Sequence, residues 1–257
     1  MLNFGISAQL YTLRNYTKTP EDFLKTLVKI KEIGYKSFQL SGAGPMEPAY
    51  IRKCLDQTGL VMSATHTAPQ RLRDDLPNVI AEHRLWGCEF VGIGMMPEEY
   101  RDDYEGIVRF SREFNEIGKR LKASGLTLIY HNHDFEFQKY DDRLIMDIMM
   151  DETDPSAFEF EIDTYWVQSG GADPVDWIYK LDGRMRYIHF KDMAMDGRKQ
   201  IFAPVGEGNL NWEKIITACE ETKIKWCAIE QDTCRINEFE ALRQSYENLT
   251  IRYGLEG

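Results

Sequence analysis

Short apolar runs alternate with longer amphipathic segments eight times along 257 residues, and this rhythm predicts an α/β fold, a (β/α)8 TIM barrel. Strict strand–helix alternation calls for parallel strands joined by helical crossovers. Eight such units in about 250 residues suit a closed barrel better than an open doubly wound sheet. No GxGxxG follows the first strand and no P-loop signature occurs, so the marks of a nucleotide-binding sheet are missing. At roughly 100–200 residues per domain, with single barrels reaching about 250, one barrel domain over residues 1–257 is expected.

The elements follow in order. Phe4–Leu10 is the first strand and not a signal peptide, because no charged flank or long apolar stretch surrounds it. Glu21–Ile33 sets Phe23, Leu24, Leu27, Ile30 and Ile33 at helical spacing, and Gly34 ends it. The second strand, Lys36–Leu40, leads through the loop SGAGPMEP to a helix over Ala49–Gln57. The third strand, Leu60–Thr65, ends at His66, and the helix Leu76–Trp86 stops at Gly87. Phe90–Ile93 is the fourth strand. The longest helix, Tyr104–Ala123, aligns Ile107, Phe110, Phe114, Ile117 and Leu121 on one face. Leu126–His131 is the fifth strand and Leu144–Met150 a short helix. In the sixth strand, Phe158–Asp163, the charges do not sort clearly to one side. Asp173 caps a helix through Lys180, with Pro174 in its first turn. Met185–Phe190 is the seventh strand, followed by a helix over Asn211–Glu220 capped by Asn211. Trp226–Glu230 is the eighth strand, and Glu238–Tyr253 the last helix.

Composition narrows the function. Lys plus Arg number 31 and Asp plus Glu 42, a net charge of −11 that repels polyphosphate and argues against a nucleic-acid partner held by a broad basic surface. With 43% apolar and 28% charged residues the chain reads as globular. No apolar run approaches the ~20 residues of a membrane helix, so no membrane association is expected. The 5 cysteines are odd in number and form no CxxC, which fits free thiols in a reducing cytoplasm. A homo-oligomer stays open, since exposed helix faces of barrels often pair, but no patch stands out for it.

Function in such barrels sits at the C-terminal strand ends. Gln9 and Tyr11 lie at the end of the first strand, His66 at the third, and His131, Asn132 and His133 at the fifth, with Glu136 just beyond. Asp163 ends the sixth strand, His189, Lys191 and Asp192 the seventh, and Glu230 and Asp232 the eighth. The chain has 5 histidines, and all but His83 fall at these ends. His83 lies on a helix and is expected at the surface. Imidazole and carboxylate donors from separate strands suit one divalent ion such as Mn²⁺, Zn²⁺ or Mg²⁺. An ion with open positions holds two vicinal substrate oxygens and stabilises the enediolate left when a proton next to a carbonyl is removed. A nearby carboxylate or imidazole moves that proton. Taken singly, each residue has a plainer reading: a hydrogen-bonded structural histidine, or a helix cap for Asp134, Asp163, Asp192 and Asp232. The coincidence of several ligand types at one end of successive strands favours the functional reading.

The same residues fall in YHNHDFEF (130–137), EIDTYWVQSGG (161–171), IHFKD (188–192), VGEGNLNW (205–212) and IEQD (229–232). With GISAQLYTLR (5–14), they make the chain resemble the sugar phosphate isomerase/epimerase family of xylose isomerase-like TIM barrels, over nearly its whole length. The resemblance implies one divalent metal, with Mn²⁺ foremost and Zn²⁺, Co²⁺ or Mg²⁺ as alternatives. It implies Asp163, His189 and Glu230 as ligands. The fifth-strand position departs from the pattern, because His131-Asn132 stands where many relatives have Glu-Asn. Either His131 is the ligand or Glu136 reaches back from the loop; a third carboxylate suits a hard cation, so Glu136 is the expectation. His131 then contacts substrate or moves the proton beside Glu230 and Glu136, with His133 next to it. The resemblance also brings His66 near the substrate. Lys191 is placed to neutralise an oxyanion or pair with Glu207, which glycines let approach the site. Trp166, and less so Tyr11, offer apolar walls for a sugar face. No Arg or Lys cluster suits a phosphate clamp, so an unphosphorylated substrate is expected.

The implied activity is a metal-dependent isomerase or epimerase of a sugar, keto-sugar or cyclitol. The YHNH variant leaves a second outcome open, a lyase or dehydratase of the inosose or 3-keto-glycoside type. A sugar-binding barrel without catalysis is a more distant reading, and a DNA-repair endonuclease is disfavoured by the acidic balance.

Overall fold

The computed structural model describes residues 4–255. In chain order its elements are β1 (Gly5–Gln9), α1 (Pro20–Ile33), β2 (Ser37–Leu40), α2 (Pro48–Thr58), β3 (Val61–His66), α3 (Pro69–Asp74), α4 (Leu76–Trp86) and β4 (Phe90–Ile93). Then come α5 (Tyr104–Ala123), β5 (Thr127–His131), β6 (Lys139–Tyr140), β7 (Arg143–Leu144), α6 (Ile145–Asp151), β8 (Phe158–Glu161), α7 (Thr164–Ser169) and α8 (Pro174–Lys180). The chain finishes with β9 (Tyr187–Phe190), β10 (Asp192–Asp196), β11 (Lys199–Ala203), α9 (Trp212–Glu221), β12 (Trp226–Ile229) and α10 (Glu238–Glu247).

Eight of these strands form one parallel sheet in the order β8-β5-β4-β3-β2-β1-β12-β9. The sheet curls until its two edge strands, β8 and β9, meet. They are joined by the bridge between Asp163 and His189, where the His189 N–H donates to the Ile162 carbonyl at 2.8 Å. This is the expected (β/α)8 barrel. The β6–β7 and β10–β11 hairpins, α3 and α7 are additions that the simple alternation did not contain.

The helices start where the chain supplies capping oxygens. Thr19, Asp103, Asp173, Asn211 and Asn237 each accept a backbone N–H from the first turn of their helix. The apolar stripe of α5 (Ile107, Phe110, Phe114, Ile117, Leu121) is buried as its spacing predicts. Gly118 is required on that face, because a Cβ there would lie 2.1 Å from the Ala157 carbonyl oxygen. The last helix ends at Glu247 and runs on into a π-turn over Asn248–Arg252.

Inside the barrel, side chains alternate with those facing the helices. Arg186 seals the N-terminal end, donating to Glu159 at 2.9 Å, Glu89 at 2.7 Å and Thr127 at 2.8 Å. Above it Ala64, Phe90, Ile129, Tyr187 and Ala228 form an apolar layer. Above this layer stand the charged residues of the C-terminal end, so the interior is a packed plug with charge at both ends.

His83 is not at the surface. It is buried on the inward stripe of α4 with Leu76, Val79 and Trp86. Its Nε2 pairs with Thr65 Oγ1 at 2.8 Å and its Nδ1 with the Val79 carbonyl at 2.8 Å, so both ring nitrogens are satisfied without water. Burial pulls its pKa down to about 4. The unfolded chain therefore takes up this proton near pH 6.5 while the folded chain refuses it, and stability falls as pH drops from about 6.5 to about 4. The loss over that window is expected to be about 3 kcal/mol. Urea unfolding at a series of pH values should show this slope in the wild type and a shallower one in His83→Gln.

Candidate active site

The C-terminal strand ends bring donors together by period-two alternation and by four local clamps. At the end of β5, His131 points inward. Asn132 beside it accepts the Asp163 N–H at 3.0 Å and donates to the His133 carbonyl at 3.0 Å, which ties β5 to β8. Asp163 caps α7, its Oδ1 accepting the Trp166 N–H at 3.0 Å, which leaves Oδ2 without a hydrogen-bond partner. Thr164 both donates to the Lys191 carbonyl (2.8 Å) and accepts the Lys191 N–H (3.0 Å), fixing β9 at that residue. Gly92 and Gly94 give the His66 ring its room, since a Cβ on either would lie 2.9 Å from a ring atom.

His189 stands at the centre. Its Nδ1 lies 3.0 Å from Glu230 Oε2 and 3.8 Å from Asp163 Oδ2. Its Nε2 lies 2.7 Å from Gln39 Oε1 and 3.2 Å from Glu161 Oε1. The His131 ring packs on it with centroids 4.4 Å apart. Lys191 Nζ reaches Asp232 Oδ1 at 2.9 Å, Glu230 Oε2 at 3.1 Å and Asp163 Oδ2 at 3.4 Å.

His131, Asp163, His189 and Glu230 each offer a ligand atom, all within 4.8 Å of one another, and all four are buried. A second group, His66, His131, Glu161 and His189, shares two of its members. The first group fits a divalent ion. His131 Nδ1 is buried with no hydrogen-bond partner, and Asp163 Oδ2 has no hydrogen bond and only the Lys191 ion pair at 3.4 Å, so both keep a lone pair for an ion. Two carboxylates and two imidazoles form the mixed donor set that such ions take.

Charge in the site is set by burial and by neighbours. Burial works against the charged form of His189, but Glu161 and Glu230 outweigh it and raise its pKa to about 10. Burial would raise Glu161, yet His189 and His66 hold it down to about 2. Glu230, equally buried, is held well below the usual carboxylate range by Lys191 and His189. Asp163 is raised to about 7 by burial despite Lys191. His131 is pushed well below its ordinary value by burial and by the imidazoles around it, and His133 down to about 3 by burial and Lys191. Both are neutral, with a lone pair for a metal or a proton.

The sequence-expected residues divide into those the fold gathers and those it does not. His66, His131, His133, Trp166, Glu230 and Asp232 line one cavity of about 660 Å³, with Tyr11 at its edge. His133 Nδ1 and Trp166 Nε1 are buried without partners there. Lys191 sits beneath, bound to the three carboxylates and not to Glu207. Glu136 is a correction: it does not reach the donor cluster. Its Oε1 accepts from Tyr130 at 2.6 Å and its Oε2 from the His133 N–H at 2.8 Å, and Tyr130 faces the helix layer, outside the barrel lumen. The fifth-strand donor that converges with the others is His131. Gln9 is another correction, buried below the cavity and bound to Gln39 at 2.9 Å. Glu207 is the third: it is exposed and accepts from Asn248 at 2.9 Å. Its flanking glycines serve Asp192, whose Oδ2 accepts the N–H groups of Gly206 and Gly208, each at 2.9 Å.

Three site residues escaped the sequence reading. Glu161 lies two residues before Asp163 and so faces the same way. Gln39 is marked by the same parity on β2. Phe202, on β11, packs on Tyr165 with centroids 4.3 Å apart and lies 5.2 Å from Lys191 Nζ.

The parallel barrel carries a group of possible metal ligands at its C-terminal strand ends. The xylose isomerase-like TIM barrel family model matches residues 27–250, and the chain belongs to that family. Among curated proteins, inosose dehydratase of Lacticaseibacillus casei is 22% identical over 245 residues, covering 80% of this chain and 82% of that one. Inosose dehydratase of Clostridium tetani is 24% identical over 161 residues, 56% of this chain; the match spans about half (51%) of that enzyme's length. Among solved structures, a sugar phosphate isomerase/epimerase from Parabacteroides distasonis superposes with a TM-score of 0.82 at 20% identity, covering 100% of this chain and 96% of that one.

Two measurements check the ligand set. Elemental analysis of the purified protein should find roughly one divalent ion per chain, lost in both Asp163→Ala and His189→Ala. Because His189 carries a proton that an incoming ion must displace, metal affinity should weaken as pH falls. Calorimetry in buffers of different ionisation enthalpy should report proton release on binding; no release would contradict the charged state of His189.

Proposed function

We propose that this protein is a divalent-metal-dependent enzyme that removes a proton next to the carbonyl of an unphosphorylated sugar, keto-sugar or cyclitol and returns a proton to the neighbouring carbon, as an isomerase, or to the opposite face of the same carbon, as an epimerase. One observation carries the reading. His131, Asp163, His189 and Glu230 converge from four strands at the floor of a substrate-sized cavity, with no hydrogen bond at His131 Nδ1 or at Asp163 Oδ2, the latter 3.4 Å from Lys191 Nζ. Mn²⁺ is the ion proposed, with Zn²⁺, Co²⁺ or Mg²⁺ as alternatives. A bound ion supplies Lewis-acid stabilisation for the negative charge that develops on the substrate oxygens.

The chain's own groups supply the rest. Glu230 is ionised and lines the cavity, so its carboxylate serves as the proton acceptor. His133, neutral and with Nδ1 unpaired at the cavity, is the imidazole in reach to hold or return the proton. Lys191 is cationic and faces Glu230, where it offsets negative charge at the cavity floor. Trp166 presents an apolar wall to a sugar face and an unpaired Nε1–H to a hydroxyl. His66 forms the adjacent wall.

A second reading, loss of a β-substituent after proton removal, has its own support. The cavity of about 660 Å³ lies in the range of ~300–1,000 Å³ that drug-sized ligands occupy, so a single hexose leaves part of it unfilled. Its outer wall includes Pro69 and Met95, the latter 44% exposed. A glycoside or other substituted sugar would fill that space. The fifth-strand imidazole also leaves the site without a second carboxylate opposite Glu230, and the dehydratase names of the sequence relatives point the same way.

Incubation with candidate keto-sugars and cyclitols in D₂O separates these outcomes. Isomerisation or epimerisation conserves mass apart from deuterium at carbon, whereas elimination yields an unsaturated ketone or a released group. Glu230→Gln should lower turnover by roughly 10²–10⁴-fold with the fold intact. Full activity in that variant would rule out Glu230 as the proton acceptor.

A further inference from the structure

Glu161 ends β8 in complete burial, and three donors meet its carboxylate. Oε2 lies 2.8 Å from His66 Nε2; Oε1 accepts from Gln39 Nε2 at 2.7 Å and lies 3.2 Å from His189 Nε2. The polarity of this network follows from one backbone group. The Tyr11 N–H donates to Gln9 Oε1 at 3.2 Å, so the Gln9 amide turns its Nε2 toward Gln39. That Nε2 donates to Gln39 Oε1 at 2.9 Å, which turns the Gln39 Nε2 toward Glu161. A carboxylate only accepts. His189 Nε2 therefore faces two acceptors, Gln39 Oε1 and Glu161 Oε1, and must carry a hydrogen. The nitrogen left for other work is Nδ1, and Nδ1 is the atom beside Glu230 and Asp163.

We infer that Glu161 is a positioning residue of the metal centre: by accepting the Nε2–H groups of His189 and His66, it fixes the His189 tautomer and aims Nδ1 at the ion. The inference rests on the reading of His189 as a ligand. Carboxylates behind metal-bound imidazoles act in this way, and their loss costs metal affinity without removing a ligand. The same contact turns His66 so that its Nδ1 faces Ser41 Oγ, 3.3 Å away at the cavity wall. Glu161 itself stays out of the cavity.

The test is Glu161→Gln in the full chain. A glutamine keeps the shape but offers one acceptor and an NH₂ group where three donors converge, so at least one imidazole must turn or give up its hydrogen. Titration calorimetry with Mn²⁺ should show a dissociation constant about 10–100-fold higher than wild type. Zn²⁺-loaded wild-type protein labelled with ¹⁵N-histidine should show Nε2 of His189 protonated and Nδ1 metal-bound. A folded variant that binds Mn²⁺ with wild-type affinity would overturn the role of Glu161 while leaving the metal centre standing. If the variant does not fold, the wild-type spectrum decides: a proton on Nδ1 and metal on Nε2 overturns the inference. Wild-type protein that takes up no divalent ion would sink the metal-centre reading and this one with it.

Discussion

Charge without water is the constraint on which the C-terminal end of this barrel depends. Glu161, Asp163 and Glu230 are buried among His131, His189 and Lys191, with Asp232 only partly exposed at the rim. An isolated buried carboxylate is strongly disfavoured, and each survives only through a cation or a directed hydrogen bond. His189 lies between Glu161 on one side and Glu230 on the other, and Lys191 binds the three carboxylates nearest the cavity. The surrounding structure serves that balance. Thr164 grips the Lys191 backbone, Asn132 holds the Asp163 backbone, and Asp163 uses one oxygen for a helix cap while the other faces Lys191 Nζ. Removing one member leaves the others uncompensated, so substitutions here are expected to act together and not additively.

The barrel itself was legible because its signals are local. Helical spacing of apolar residues in α5, capping by Asp173 and Asn211, and glycines after α2 and α4 mark elements wherever they fold. The strand ends were legible for the same reason, and a residue at the end of an inward-facing run can point only into the lumen. His131, Asp163, His189 and Glu230 lie at such ends, and the fold brings their donor atoms within 4.8 Å of one another. The β10–β11 hairpin carried a signal as well. Its turn holds Asp196-Gly197 with Gly197 at φ +60°, between segments of β propensity.

The misreadings share a cause. Glu136 lies beyond the strand, where alternation no longer dictates direction, and the Tyr130 hydroxyl captured it from the outer face of the barrel wall. Glu207 was drawn toward the site by its glycines, but those glycines bend the chain around Asp192. Gln9 has the right parity at the right strand yet sits one layer too deep. His83 looked exposed because imidazole is polar; its place on the stripe with Val79 and Trp86 was the better guide. Glu161 was obscured by the alternating FEFE of its strand, where two carboxylates share a face but serve opposite ends of the barrel: Glu159 meets Arg186 at the base and Glu161 meets His66 and His189 near the top. Sequence parity gives the face, while depth along the axis comes from strand stagger, which is a property of the closed sheet.

The seam between β8 and β9 carries one further consequence. Every other neighbouring pair in the barrel shares a ladder of at least three paired residues, whereas this edge has one bridge, Asp163 with His189, supported by the Phe160 N–H to the Arg184 carbonyl at 2.9 Å and by Thr164 on the Lys191 backbone. Those residues belong to the donor cluster, so the clasp of the barrel and the candidate ion site share the same residues. Local opening along this line, the kind of sub-global breathing that precedes full unfolding, would pull the donors apart. An ion bound across the seam would in turn act as a rivet, making barrel closure a function of metal concentration.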